Sequence, residues 1–275
     1  MWRDVRIKKV GCESGFIYDH HQNACVKPKE NLKPLIKWPG GKSRVSKEIV
    51  SKIPEHKTYV EPFIGGGSIY FEKPLSEKNV INDKNKNLIT LYKHFKKSEI
   101  KGCKYPSRQK WKKIKNKRDQ GRKLDACEFA QLVNGSYGAM TNSWGYQDKS
   151  GDMMKNVNRN IIHYQNKLNK TSIMNQDFKK VIDDNDSKST FFYLDPPYHK
   201  AISYNQKIIH PSDVASSCKR VKGRVMVSYN DHPDVRKAFP KKDGWKYDHV
   251  TIPYTIQKTK HASRQPTKEL LITNF

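Results

Sequence analysis

Phe191-Phe192-Tyr193-Leu194-Asp195-Pro196-Pro197-Tyr198 decides the fold. Its first four residues are a short apolar run ending in a break, the pattern of a buried strand in a parallel sheet. Two consecutive prolines can neither continue that strand nor donate to a ladder, so the chain turns after Asp195. A carboxylate, a rigid turn and an aromatic ring are thereby fixed at a strand's carboxyl end, where open α/β sheets bind ligands. A surface Pro-Pro turn with an incidental Asp and Tyr is the plain alternative, and the rest of the chain decides between them.

Upstream, Thr58-Tyr59-Val60-Glu61 reads as a strand, Pro62-Phe63-Ile64-Gly65-Gly66-Gly67-Ser68 as a glycine-rich turn, and Ile69-Tyr70-Phe71 as a helix start. This is the first unit of a Rossmann-like half. The glycines do not form GxGxxG and no P-loop lysine follows, which disfavours a diphosphate site. A second strand, Asn79-Val80-Ile81-Asn82, ends in Asp83, placed to accept bonds from two ribose hydroxyls or to cap the helix predicted from Asn87. Before these, Leu35-Ile36-Lys37-Trp38-Pro39-Gly40-Gly41-Lys42 is a loop whose Trp38 could cap a cofactor ring. Its Lys37 or Lys42 could meet a phosphate or base. An amphipathic helix is predicted from Ser43, ending before Pro54. After the insert, strands are predicted over 171–175, 225–230, 247–253 and 269–274, the last two antiparallel. Asp183, Asp184 and Asp186 read as a polar surface loop, and Asp231-His232-Pro233 as a helix cap.

The chain has 275 residues, 35% of them hydrophobic, enough for one large domain or a domain with an insert. A net charge of +27 points to a polyanionic partner, nucleic acid before membrane. No apolar run is long enough to span a membrane and the first residues carry no signal core, so an intracellular location is expected. Cytoplasm, nucleoid or, for a viral protein, host cell or virion all fit. The odd count and long spacings of Cys12, Cys25, Cys103, Cys127 and Cys218 argue against a disulfide scaffold, with Cys127 and Cys218 read as small buried apolar groups. Residues 1–31 read as an appended element. A hairpin with reduced cysteines is favoured there over a disulfide-closed loop, and both over a zinc site from Cys12, His20, His21 and Cys25.

The loop 37–42, Glu61-Pro62-Phe63-Ile64-Gly65-Gly66-Gly67-Ser68, Asp83 and Asp195-Pro196-Pro197-Tyr198 occur in the order seen in Dam-type (D12 class) DNA adenine-N6 methyltransferases, which the chain resembles over 32–95 and 170–275. Lys268-Glu269-Leu270-Leu271-Ile272-Thr273-Asn274 looks like that family's last strand. Residues 1–31 also resemble the two-cysteine adaptor modules of large DNA viruses. The family resemblance implies a Rossmann-like, mostly parallel sheet with an antiparallel C-terminal strand and an inserted, mainly helical target-recognition domain at 96–169. It implies S-adenosylmethionine as methyl donor and S-adenosylhomocysteine as product. Trp38, Pro39, Gly40, Lys42, Pro62, Phe63, Gly65, Gly67, Ser68, Asp83, Asp177, Phe178 and Asp195 would hold the cofactor, Asp177 bonding its adenine amine and Phe178 packing on that ring. The partner would be double-stranded DNA, bound by a monomer or dimer. The resemblance allows a cognate restriction endonuclease and implies no metal.

The insert carries the dense basic run Trp111-Lys112-Lys113-Ile114-Lys115-Asn116-Lys117-Arg118, read as a phosphate-tracking face over a merely solvated one because opposing acids are few. Lys37, Lys112, Lys113, Lys115, Lys117, Trp144 and Arg264 are the expected DNA-binding residues, with His261 and Lys268 near Arg264. A helix is predicted over 125–140 and an exposed turn over 141–151. The family's run of Arg, Asn and Phe-Asn-Val-Pro is absent here, so GATC remains one site among related short ones. For the chemistry, Asp195 and the carbonyl of Pro196 would accept from both protons of an adenine amine, Tyr198 would stack on the extruded base, and Pro197 would stiffen the turn. An adenine in RNA, the N4 of cytosine, a binding module with a dead site, and a nucleotide-dependent oxidoreductase are the alternatives.

Overall fold

The computed structural model describes residues 11–145, 150–198, 209–252 and 267–275. Nine strands are described: β1 (Ile17–Asp19), β2 (Ala24–Val26), β3 (Thr58–Glu61), β4 (Lys78–Asn82), β5 (Ser172–Met174), β6 (Thr190–Leu194), β7 (Arg224–Asn230), β8 (Lys246–Ile252) and β9 (Thr267–Thr273). The first two pair as a hairpin. The other seven form one sheet in the order β5-β4-β3-β6-β7-β9-β8. Every neighbouring pair from β5 to β7 is parallel, whereas β9 runs antiparallel to both β7 and β8. This is the expected Rossmann-like sheet with its antiparallel terminal strand. β3 meets β4 on one side and β6 on the other, so the crossovers reverse direction at the carboxyl ends of β3 and β6 and open a crevice there.

The helices are α1 (Ser46–Ser51), α2 (Ser68–Glu72), α3 (Lys86–Lys97), α4 (Arg108–Asp119), α5 (Ala126–Asn134), α6 (Lys155–Arg159), α7 (Ile161–Asn169), α8 (Phe178–Asn185), α9 (Pro211–Cys218) and α10 (Pro233–Ala238). They cover the sheet on both faces because strand side chains alternate. Tyr59, Ile81, Phe191, Tyr193, Met226 and Leu271 face one layer, which contains α1 to α7. Val60, Val80, Phe192, Leu194, Val227 and Leu270 face the other, which contains α8 to α10. The helix α3 shows how sequence becomes packing. Asn85 caps it by accepting from Asn87 and Leu88 N–H, Leu88, Leu91, Tyr92 and Phe95 bury one stripe, and Lys96 and Lys97 meet the negative end of its dipole. The insert's Trp111, Phe129 and Tyr164 join the same apolar cluster, so 96–169 is packed continuously with the first layer.

Four expectations change. Cys12 bonds Cys25 and Cys103 bonds Cys127, each pair with Cα atoms 5.7 Å apart. Cys25 lies in β2 opposite Tyr18, and the bond ties that strand to the segment leading into β1. The return of α5 over the chain before α4 brings up the second, a long-range contact that spacing does not reveal. The first bond also takes up both thiolates that the zinc reading required. Cys218 is free and buried, as expected. Asp183 and Asp184 lie within α8, because Phe178, Val181 and Ile182 supply a helical stripe. The cap of α3 is Asn85, not Asp83. Arg264 and His261 fall outside the described residues. Protein purified without reductant and then denatured should show one reactive thiol by titration, and five after reduction; five before reduction would refute both bonds.

Candidate active site

A cleft opens at the carboxyl ends of β3 and β6. The loop 38–42, the glycine turn after β3, Asp83 and the turn 195–198 all line it. The glycine turn is shaped by what lies on it. A Cβ on Gly65 would sit 2.6 Å from Trp38 Cδ1, and Gly67, at φ +80, would drive one into Phe71 and Tyr92. The bare backbone lets Trp38 lie flat across the turn and roof one side of the cleft.

Asp83 fixes the other side of that turn. Its Oδ2 accepts from Gly65 N–H at 3.1 Å and its Oδ1 from Asn85 N–H at 2.8 Å. Burial lifts its pKa to about 6 against those backbone donors. Glu61, at the end of β3, accepts from Tyr59 Oη at 2.6 Å, and burial raises its pKa well above the usual carboxylate range.

Asp195 stands opposite. Lys42 Nζ donates to its Oδ1 at 2.7 Å and its Oδ2 at 2.9 Å, donates to Gly40 O at 3.0 Å, and lies 3.3 Å from Glu269 Oε1. The Lys42 side chain is 1% exposed and that of Asp195 20%. Burial works against the charge on Lys42, but the two carboxylates outweigh it and raise its pKa. Burial brings Asp195 to about 6; Lys42 opposes that rise and the negative charge of Glu269 adds to it. Glu269 also accepts from Tyr198 Oη and from Ser228 Oγ on β7. The Lys42 ammonium lies 4.8 Å from the centre of the Tyr198 ring.

The cleft thus brings together Trp38, Pro39, Gly40, Lys42, Phe63, Gly65, Ser68, Asp83, Asp195, Pro196, Pro197 and Tyr198. Pro62 and Gly67 are buried supports beneath it. Asp177 is exposed and caps α8 by accepting from Lys179 N–H; it does not line the cleft. Phe178 lies behind Phe63, ring centres 5.1 Å apart, and Phe63 is the ring that faces the cavity. Sequence reading missed Glu269 and Ser228. The available signal was a carboxylate inside the otherwise apolar strand Leu270-Leu271-Ile272.

The basic run also divides. Lys115 pairs with Asp119 at 2.7 Å and Lys117 with Glu128 at 2.6 Å, so opposing acids are present after all. Lys112 and Lys113 are exposed, and Lys37 is exposed on a groove that adjoins the cleft through Trp38 and Gly41. Trp144 is half-buried against Trp111, whose Nε1 donates to Leu132 O.

Similarities to known proteins follow the same residues. The sequence model of the D12 class N6 adenine-specific DNA methyltransferase family matches residues 38–249. The Type II methyltransferase M1.LlaDCHI of Lactococcus lactis subsp. cremoris is 25% identical over 92% of this chain and 99% of its own length. The Type II methyltransferase M.CviBI of Paramecium bursaria Chlorella virus NC1A is 27% identical over 61% of this chain and 69% of its own. A DNA adenine methylase of Haemophilus influenzae is 37% identical over a shorter stretch, 24% of this chain and 23% of its own.

Replacing Lys42 by Met leaves Asp195 and Glu269 facing each other in a desolvated site. Breaking such a buried pair costs about 3–5 kcal/mol. Without the cation the pKa of Asp195 rises further, so the stability loss is smaller below that value and grows as pH rises through it. Denaturation at pH 5 and pH 8 should show the larger deficit at pH 8; equal deficits would refute the assignment.

Proposed function

We propose, from the premise that the chain belongs to the D12 class N6 adenine-specific DNA methyltransferase family, that it transfers a methyl group to N6 of an adenine turned out of duplex DNA, within a short site of the GATC kind. The observation that carries this reading is the Lys42–Asp195 pair at the end of β6. It sits in the same cleft as the glycine turn and Asp83.

The cleft's donor set fits S-adenosylmethionine. Asp83 offers a carboxylate to ribose hydroxyls, Trp38 and Phe63 offer ring faces, and Gly40 and Gly65 leave backbone accessible. Pro39 and Ser68 complete the lining on that side. When bound, that cofactor supplies a methyl group on an electron-poor sulfur, which leaves as a thioether.

The exocyclic nitrogen of adenine is a poor nucleophile because its lone pair is delocalised into the ring. Asp195 and the Pro196 carbonyl accept from its two protons and favour a pyramidal nitrogen with the pair freed. Asp195 and Pro196 would thus hold the nitrogen ready for the methyl group that the cofactor would supply. The positively charged amine releases one proton to Asp195, whose partly exposed carboxylate passes it to water. Asp195 must be ionised to accept. Lys42 supports that state in a site whose burial opposes it. The Tyr198 ring, anchored through its hydroxyl, stacks on the base, and extrusion is required because the amine is paired inside the duplex. Positioning and electrostatics supply the catalysis.

On the DNA side, Lys37 beside the cleft and Lys112 and Lys113 on α4 take phosphates. Lys115 and Lys117 mainly brace α4, and Trp144 supports the loop of residues 136–144 from beneath, where Ser136 bridges Trp144. The insert 96–169 is the target-recognition part, and 32–95 with 170–275 the catalytic part.

Incubation with S-adenosylmethionine and unmethylated plasmid, followed by nucleoside mass spectrometry, should yield N6-methyladenine. Asp195→Ala should lower turnover by about 10³-fold or more while cofactor affinity is retained. N4-methylcytosine as the product, or turnover retained in the variant, would overturn the reading. The double variant Lys112→Gln/Lys113→Gln should weaken DNA binding and reduce its salt slope by about two. Lys115→Gln/Lys117→Gln should change that slope less; the reverse order would return α4 to a solvated helix face.

A further inference from the structure

Glu269 is buried in β9, with 2% of its surface exposed, and the methyl-transfer mechanism makes no direct use of it. An isolated buried carboxylate is unfavourable, and this one is surrounded by donors that belong to the site. It accepts from Tyr198 Oη, accepts from Ser228 Oγ, and lies 3.3 Å from Lys42 Nζ. An ammonium has three protons to give. Those of Lys42 go to Gly40 O and to both oxygens of Asp195, and Glu269 Oε1 lies 3.3 Å away as its second counter-charge.

We propose that Glu269 is a positioning residue for the transfer: it divides Lys42 with Asp195 so that the Asp195 carboxylate keeps lone pairs for the adenine amine, and it holds the Tyr198 ring at its stacking angle through the hydroxyl. The inference rests on the methyl-transfer reading of the cleft. Its physical basis is competition. Lys42 already donates to both Asp195 oxygens, so each keeps one lone pair for the amine, and without a second counter-charge the ammonium would close further onto them. A second carboxylate on the far side draws the ammonium back, and its negative charge tempers the pull of Lys42 on the Asp195 proton equilibrium. The ionisable groups around Asp195 are Lys42 from the loop before α1, Glu269 from β9, Tyr193 from β6, Tyr198 from the turn after β6, Tyr229 from β7 and Glu61 from β3. Of these, Lys42 favours the carboxylate and Glu269 disfavours it, so removing the charge of Glu269 has a definite sign.

The test compares wild type, Glu269→Gln and Glu269→Asp for N6-methyladenine formation across pH. Wild-type kcat/KM should fall on the acid side as Asp195 protonates near pH 6. In Glu269→Gln that limb should move about one unit lower, and kcat should drop about tenfold with the KM for S-adenosylmethionine unchanged. In Glu269→Asp the limb should stay in place while kcat falls several-fold, because the shortened carboxylate retreats from Tyr198. A structural role alone would lower the melting temperature without moving the limb. An unmoved limb in folded Glu269→Gln overturns the proposal. Should that variant fail to fold, wild-type kcat in Glu269→Asp overturns it instead. Absence of N6-methyladenine with the wild-type protein would instead refute the methyl-transfer reading itself.

Discussion

The ammonium of Lys42, buried between carboxylates from two different strands, is the contact through which the cleft is assembled. Its protons go to Gly40 in its own loop and to Asp195 at the end of β6, and its charge pairs with Glu269 in β9. Three segments distant in sequence are therefore held by one charge. A lysine in that position loses its hydration, and only two anions at close range make the exchange favourable. The same arithmetic holds for the carboxylates. The cation favours the charged form of Asp195 against its burial and the neighbouring carboxylate of Glu269. Stability and reactivity are thus tied to one group.

The sheet supplies the frame for that contact. Because β3 is flanked by parallel β4 and β6, the loops after β3 and β6 diverge and leave space where helices would otherwise close over the strand ends. The antiparallel strand β9 has a second use. It runs against β7, so Glu269 registers with Asn230 at the carboxyl end of β7 and reaches the cleft from a strand pointing the opposite way. A parallel strand at that position would present its carboxyl end there, whereas β9 brings its amino end.

Legibility in the sequence followed the range of the interactions. Phe191 to Tyr198 was readable because a run of apolar residues followed by Pro-Pro permits little besides a buried strand and a turn. The glycine turn and Asp83 were readable as a strand–turn–helix unit with an acid one step on, although Asn85 took the cap. Glu269 looked like one residue in a final strand, because its partners Lys42, Tyr198 and Ser228 are 41 or more positions away. The Cys103–Cys127 bond and the Lys117–Glu128 pair were hidden for the same reason: both need α5 folded back beside α4. Asp177 is a different case. The resemblance implied a cofactor contact for it, and in the structure its side chain accepts from Lys179 N–H as the cap of α8.

Charge works at two scales in this protein, with opposite sign. The net +27 spreads over exposed lysines and arginines, and within the screening distance of about 10 Å it favours a polyanion on the surface. Glu61, Asp83 and Asp195 line the cleft and Glu269 lies behind Lys42, and these carboxyl groups outnumber Lys42, the one buried cation among the described residues that line it. A sulfur-centred cation with its own ammonium group, the proposed methyl donor, is drawn to that interior, while a phosphate is repelled from it. The outer field would bring the duplex to the surface, and the inner field would admit the cofactor while excluding the backbone of the DNA. A base turned into the cleft carries no charge and opposes neither field. On the proposed reading, the nucleobase and not the phosphate beside it would be the part of the polyanion that suits the site.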